Sequence, residues 1–523
     1  MKFKDKLVAA LLFFLTITFS YGQDGNLVHS NELPKTKSDP YRTFDARVEE
    51  FFVCDDGSLV SLKIEGLRFK EVVFQKFSGD RLNEEFRKSV KVEQKECSFE
   101  FIREINNEYY LFYSSYHKKS KTEQLYVRLI DVENGDFSGP TKLIAKTEGK
   151  LKDLGKFSIV FSNNKSFFAI RYMYASVHRD NTRNIEREGL FIFDNAFNEL
   201  LRSDFTMPYK EGFMENLNFT VGSDGIGYFL IKKYQWERGL GKKEDSHNQS
   251  LAILKTNQNG SFEEISFDLE GGYVAEGGFI SEIANKTIIC TGYFRKPNSI
   301  ETLGLFIAKP HEDSELVEVE LHKFHYRLAG PDDGNQGQTK GNRRAEDQEE
   351  RTGVENLKVR ELTRLPDGSL ILSGEVQYTI SYYKSVLTTN GQRRQLVRTH
   401  HIDDIVLVKI NAEGEQEWSR KIKKKSSFES FRLITSEKYT DVLFRKVYSP
   451  ARDCGGMQLL TYRFNNETGE QRIIPLFCLE EIDGIRVYQS SLKKVVRMAE
   501  NTFALELYIK KKKDRMFKTT FDE

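Results

Sequence analysis

One composite pattern returns along this chain. A strand rich in Leu, Ile, Phe and Val runs into an Asn/Asp/Gly turn, and a further strand follows. The register is clearest where such strands end, at Asp131, Asp194, Lys255, Lys309, Lys409 and Tyr462. Successive ends are 63, 61, 54, 100 and 53 residues apart, and the long step holds a polar stretch near 329–353. A second hairpin turn recurs ahead of the first five of these strands, at 106–108, 162–164, 223–225, 285–286 and, most sharply, Pro366-Asp367-Gly368. Asp, Asn and Gly suit such turns because they tolerate positive φ. Helical patterning is scarce, and period-two alternation dominates.

A repeat of about 50–60 residues carrying four strands predicts an all-β chain, a β-propeller. One four-stranded sheet has two faces and cannot shield both from water. Stacking sheets radially buries both faces of every sheet, so its central strands can be apolar throughout. Six units are read at about 91–150, 151–212, 213–270, 271–328, 354–425 and 426–484. A seventh is expected from the ends, with 45–90 and 485–523 sharing one composite blade. Seven four-stranded blades are thus predicted, with eight as the alternative. Pairing the chain ends would remove two open sheet edges.

The segment 404–418 runs from Asp404 through Lys409, Asn411 and Gly414 to Trp418. It resembles a repeat of uncharacterised secreted bacterial β-propeller proteins, of a Bacteroidota-like type, which ends Lys-hydrophobic-Asn-x-x-Gly-x-x-x-Trp. The resemblance covers about twenty residues closely. It implies the scaffold and supplies no catalytic residue.

Residues 1–22 read as a signal peptide. Lys2, Lys4 and Lys6 precede an apolar run over 7–19, and the small residues Ser20 and Gly22 stand at −3 and −1 of a cut before Gln23. Export to the periplasm, outer surface or medium is expected. Residues 23–44 then form an N-terminal extension, and 45–523 a single propeller domain with its polar insertion at 329–353. No later apolar stretch reaches a membrane-spanning length, so no transmembrane segment is expected. Lys+Arg is 79 and Asp+Glu 78. This balance argues against a nucleic-acid partner, which favours a basic excess. The five cysteines show no CxxC spacing, so neither a zinc site nor a redox motif is expected; Cys454 and Cys478 are close enough in sequence to pair after export.

Two candidate sites emerge. Aromatics where strands leave the sheets suit a stacking surface for sugar or peptide, with Trp236, Tyr382 and Tyr383 foremost. His401 and Asp403, alternate residues of an extended chain, would share one side and suit a metal ion. The Lys423–Lys425 run suits either an anion or the guarding of a sheet edge. No GxSxG, HExxH or Walker loop is present. The expected function is a secreted, non-catalytic binding scaffold for a protein or glycan at the cell envelope, with no cofactor. Variable loops at 234–249, 295–302 and 378–403 would supply its surface. The alternatives are a polysaccharide-acting hydrolase or lyase with its site in the central funnel, and a structural subunit of an envelope assembly.

Overall fold

The computed structural model describes residues 33–522 apart from 67, 95, 149–154, 176–183, 236–248, 258–260, 284–285, 312–315, 325–352, 389–390, 425–429 and 448–455. The described chain is a β-propeller. Its main sheets are antiparallel, each with four strands in sequence order. The first runs from Val48–Val53 to Asn83–Lys91, the second from Cys97–Ile105 to Asp136–Glu148, and the third from Lys156–Phe161 to Glu199–Lys210. The fourth runs from Met214–Val221 to Phe262–Phe267, the fifth from Val274–Glu282 to Val317–Lys323, and the sixth from Leu357–Arg364 to Gln416–Ile422. The seventh runs from Arg432–Thr435 to Gln471–Cys478. The eighth joins the two ends of the described chain. Val495–Ala499, Thr502–Lys510 and Lys513–Thr520 are completed by Lys35–Lys37 on the outer edge.

Eight apolar clusters seal eight junctions. Leu125 and Val127 of the second sheet meet Phe168 and Ile170 of the third. Leu443 and Leu459 of the seventh meet Leu505 and Leu507 of the eighth. Leu59 and Phe77 of the first meet Ala504 and Met516 of the eighth, so the ring is closed. The remaining five clusters join the other neighbours in order. This is the double burial expected of sheets that cannot shield themselves.

The expected seven-unit count falls one sheet short among the described residues. Residues 48–91 fill a whole sheet because Leu59–Ile64 is buried along its entire length and needs a neighbour on each face. The closing strand comes instead from Lys35–Lys37, within the stretch read as an extension. The composite closure itself is present.

The repeated Asn/Asp has a local cause. Asn411 Oδ1 accepts the N–H groups of Glu413 and Glu415 at 3.1 and 2.7 Å, which closes the turn onto Gly414 at φ +80°. Asp131, Asp194 and Asn465 do the same at equivalent positions. Trp418 then stacks on Phe464 of the next sheet, and its indole N–H donates to the Asn466 carbonyl at 3.3 Å. The motif therefore ends a strand, turns the chain and seats one sheet on its neighbour.

Candidate functional site

The sixth sheet departs from the pattern. Its two middle strands, Leu370–Thr388 and Gly391–Ile410, are 19 and 20 residues long. Their pairing continues from Leu370↔Ile410 to Thr388↔Gly391. The flanking strands stop pairing at Val376 on one side and Ile405 on the other. Beyond Gln377↔Ile402 the two strands therefore continue as a two-stranded arm. Twelve residue pairs at strand rise extend roughly 35–40 Å.

A bulge marks the base of this arm. Glu375 pairs with Ile405 and Gln377 with Ile402, so Val376 faces both Asp403 and Asp404. Such an extra residue bends the ribbon and increases its twist. A buried ionic anchor lies beside it. Glu375 is fully buried and forms an ion pair with the equally buried Lys424 at 2.9 Å. The same carboxylate accepts from Ser430 Oγ at 2.8 Å and from Gln377 Nε2 at 3.1 Å. Arg360 stands 3.6 Å away. A carboxylate with this many partners is costly to move, so the root of the arm is fixed.

The arm itself is open to water. Ile380, Tyr382, Tyr383 and Leu396 are 46, 49, 70 and 43% exposed. From 376 to 402 the chain carries Lys384, Arg393, Arg394 and Arg398 and no Asp or Glu. Register assigns the faces. Tyr378/His401, Ile380/Thr399 and Tyr382/Val397 lie on one; Thr379/His400, Ser381/Arg398 and Tyr383/Leu396 lie on the other.

Three of the sequence-derived candidates, Tyr382, Tyr383 and His401, therefore fall on one arm, and Asp403 lies in the bulge at its base. The segment 378–403, expected as a loop, is mostly strand: its Tyr, Ile, Thr and Val alternate along two equal runs. Tyr382 and Tyr383 are neighbours in sequence and so face opposite sides of the ribbon. His401 stacks on Tyr378, with ring centroids 5.0 Å apart and planes 7° apart. Asp403 lies in the bulge, close enough for its charge to act on the Tyr378 hydroxyl. Asp404 pairs with Lys421 at 3.3 Å. Among the described residues no three His, Cys, Asp or Glu side chains converge as a metal site. Trp236 lies outside the described residues. Tyr172 and Tyr293, near the ends of second strands, are fully buried core residues. Lys424 neither guards an edge nor awaits an anion; it is the buried partner of Glu375. Sequence reading missed Glu375, whose signal is an acid inside a strand, three residues past the apolar run 370–372.

The central channel is the second place where charge collects. The first strands of neighbouring sheets adjoin one another, which makes them the inner wall. Glu50, Arg103 and Glu361 on these strands are solvent-exposed, yet the surrounding protein desolvates them. Both carboxyls are raised by that desolvation, with Arg432 pulling each back down. Arg432 is itself held by the carbonyls of Leu492, Lys493 and Val495 at 3.0, 3.1 and 2.7 Å. The channel wall thus interleaves acids with guanidinium groups fixed by backbone.

Cys54, Cys97 and Cys290 are free, and burial raises the thiols of all three. Cys478 is in a disulfide, and Cys454 lies outside the described residues.

No protein-family model matches the sequence, and no curated protein matches it. Solved structures with a similar course include the β-propeller domain of the Trilobed protease from Pyrococcus furiosus. It is 10% identical over 85% of this chain and 98% of that one, with a TM-score of 0.36. A quinohemoprotein alcohol dehydrogenase from Pseudomonas putida HK5 is 8% identical over 93% and 76%, with a TM-score of 0.37. Prolyl oligopeptidase B from Galerina marginata is 10% identical, with a TM-score of 0.38; this chain covers 82% of itself against it and spans 50% of that protein's length.

Proposed function

We propose that this chain is an exported binding scaffold at the cell envelope, in which the ring is the rigid frame and the arm of the sixth sheet engages a protein partner. The carrying observation is the arm: two strands with Ile380, Tyr382, Tyr383 and Leu396 open to water, rooted on a buried Glu375–Lys424 pair. An isolated two-stranded ribbon is marginal in water, so a covering surface adds stability that the free arm lacks. Its composition favours protein over glycan. Tyr and Arg are abundant and acids are absent, as in the centres of protein interfaces, and the aliphatic Ile380 and Leu396 have no use for a sugar.

The test shortens the arm. Residues 379–400 are replaced by an Asn-Gly turn, which suits the hydrogen-bonded Tyr378↔His401 pairing. The shortened protein should keep its β-rich circular dichroism and its Tm within a few degrees, and lose saturable capture of its partner from envelope extract. Capture that survives this change would remove the arm from the function.

A further inference from the structure

The backbone of the arm has two open edges; the outgoing strand carries Lys384 and the returning strand Arg393, Arg394 and Arg398. The Gln377 N–H points away from the returning strand, to the Asn356 carbonyl at 3.0 Å. Its pair mate Ile402 therefore points its own backbone groups outward on the opposite edge. Alternation then turns the backbone N–H and C=O of His400, Arg398, Leu396 and Arg394 outward along that edge. No other strand pairs with this edge among the described residues. The side chains of Arg398, Leu396 and Arg394 share one face, with Tyr383 directly across from Leu396.

We propose that this edge takes up an extended acidic segment of the partner protein as a third strand. The inference rests on the arm being the binding element. The geometry specifies the recruit: acidic residues four apart, opposite Arg394 and Arg398, with an apolar residue midway that packs on Leu396 and Tyr383. Main-chain hydrogen bonds hold the added strand, and the cross-strand charge pairs select it. The same two arginines exclude a second copy of this arm, since self-pairing sets like charges side by side.

The experiment uses the full mature chain and synthetic peptides that alternate Thr with a Glu–Val–Glu series, read by fluorescence anisotropy. Saturable binding is expected. It should weaken at least tenfold when the acids become lysines, and likewise when the two glutamates are placed three apart, on opposite faces. The double variant Arg394→Glu, Arg398→Glu lies on the exposed arm and should reverse the preference toward the lysine peptide. Amide exchange should slow at Leu396 and Arg398 on binding and stay unchanged at Val397, whose N–H already faces the outgoing strand. Equal binding of all peptides, an unaltered preference in the double variant, or binding of phosphatidylglycerol vesicles or polygalacturonate in place of the peptide would overturn the proposal. Partner capture that needs the arm while the peptides fail would sink the added strand and leave the arm's role standing. Capture that ignores the arm sinks both.

Discussion

Lys63→Met tests how the ring is held shut. The Lys63 ammonium is fully buried where the first sheet meets the eighth, 2.6 Å from both Glu506 and Glu49. Lys494 reaches the same two carboxylates, and the Tyr41 hydroxyl donates to Glu506 at 2.8 Å. Desolvation opposes ionisation of both acids, but Lys63 and Lys494 hold Glu506 well below the usual carboxylate range. Glu49, raised by desolvation and then by Glu506, sits at about 7. Met keeps the volume of Lys and removes the charge, leaving two buried carboxylates with one ammonium. Breaking a buried pair costs about 3–5 kcal/mol. The molecule has one escape, which is to protonate an acid. Below about 7 Glu49 already carries a proton in the native protein, so Glu506 keeps Lys494 as its partner and the variant loses little more. As pH rises through about 7 the native protein releases that proton while the folded variant must hold it, at about 1.4 kcal/mol per pH unit. The expected deficit therefore grows by about 3 kcal/mol between pH 6 and pH 9. Urea denaturation followed by tryptophan fluorescence at the two pH values measures it. Adding Glu506→Gln should recover most of the loss at pH 9. A deficit equal at both pH values, or no recovery in the double variant, would refute the electrostatic account and leave a packing defect.

Other outcomes follow from the same physics. Glu375→Ala leaves Lys424 buried without its carboxylate; it should cost about 3 kcal/mol and make the arm cleavable by protease before the ring unfolds. Glu100 has its carboxyl pushed up to about 7 by burial, and it shares the Ser114 hydroxyl with Glu123. An acid raised by folding weakens the protein as pH climbs from its unfolded value through about 7. Glu100→Gln should therefore stabilise by on the order of 2 kcal/mol at pH 8 and by nothing at pH 4, read by thermal melts. Gly469 has φ +65°, and a Cβ there would stand 2.8 Å from the Trp418 ring. Gly469→Ala should cost about 1–3 kcal/mol and change Trp418 emission; unaltered emission would place the strain elsewhere.

Much of the architecture is local and therefore readable in order along the chain. Turn chemistry at Asn411, Asp194 and Asn465, apolar runs such as 405–408, and the spacing between them all report short-range constraints. Six unit boundaries consequently fall close to six sheets. Residues 48–91 misled because a strand pattern says that a segment will pair without saying with which partner. Tyr382, Tyr383 and His401 were legible as unusual residue types outside an apolar run. That they stand on a ribbon and face as they do was not, because the fault that sets the faces is one unpaired residue opposite Val376.

Alone, the chain of residues dictates sheets that must lean on one another, since every unit carries more apolar surface than it can hide. Folding in three dimensions decides the rest. It selects Lys35–Lys37 to close the ring, joins Glu375 to Lys424 across 49 positions, and leaves one hairpin without strand neighbours among the described residues. Each of these depends on which distant groups meet, and burial energy acts on the meeting itself rather than on the order of the residues.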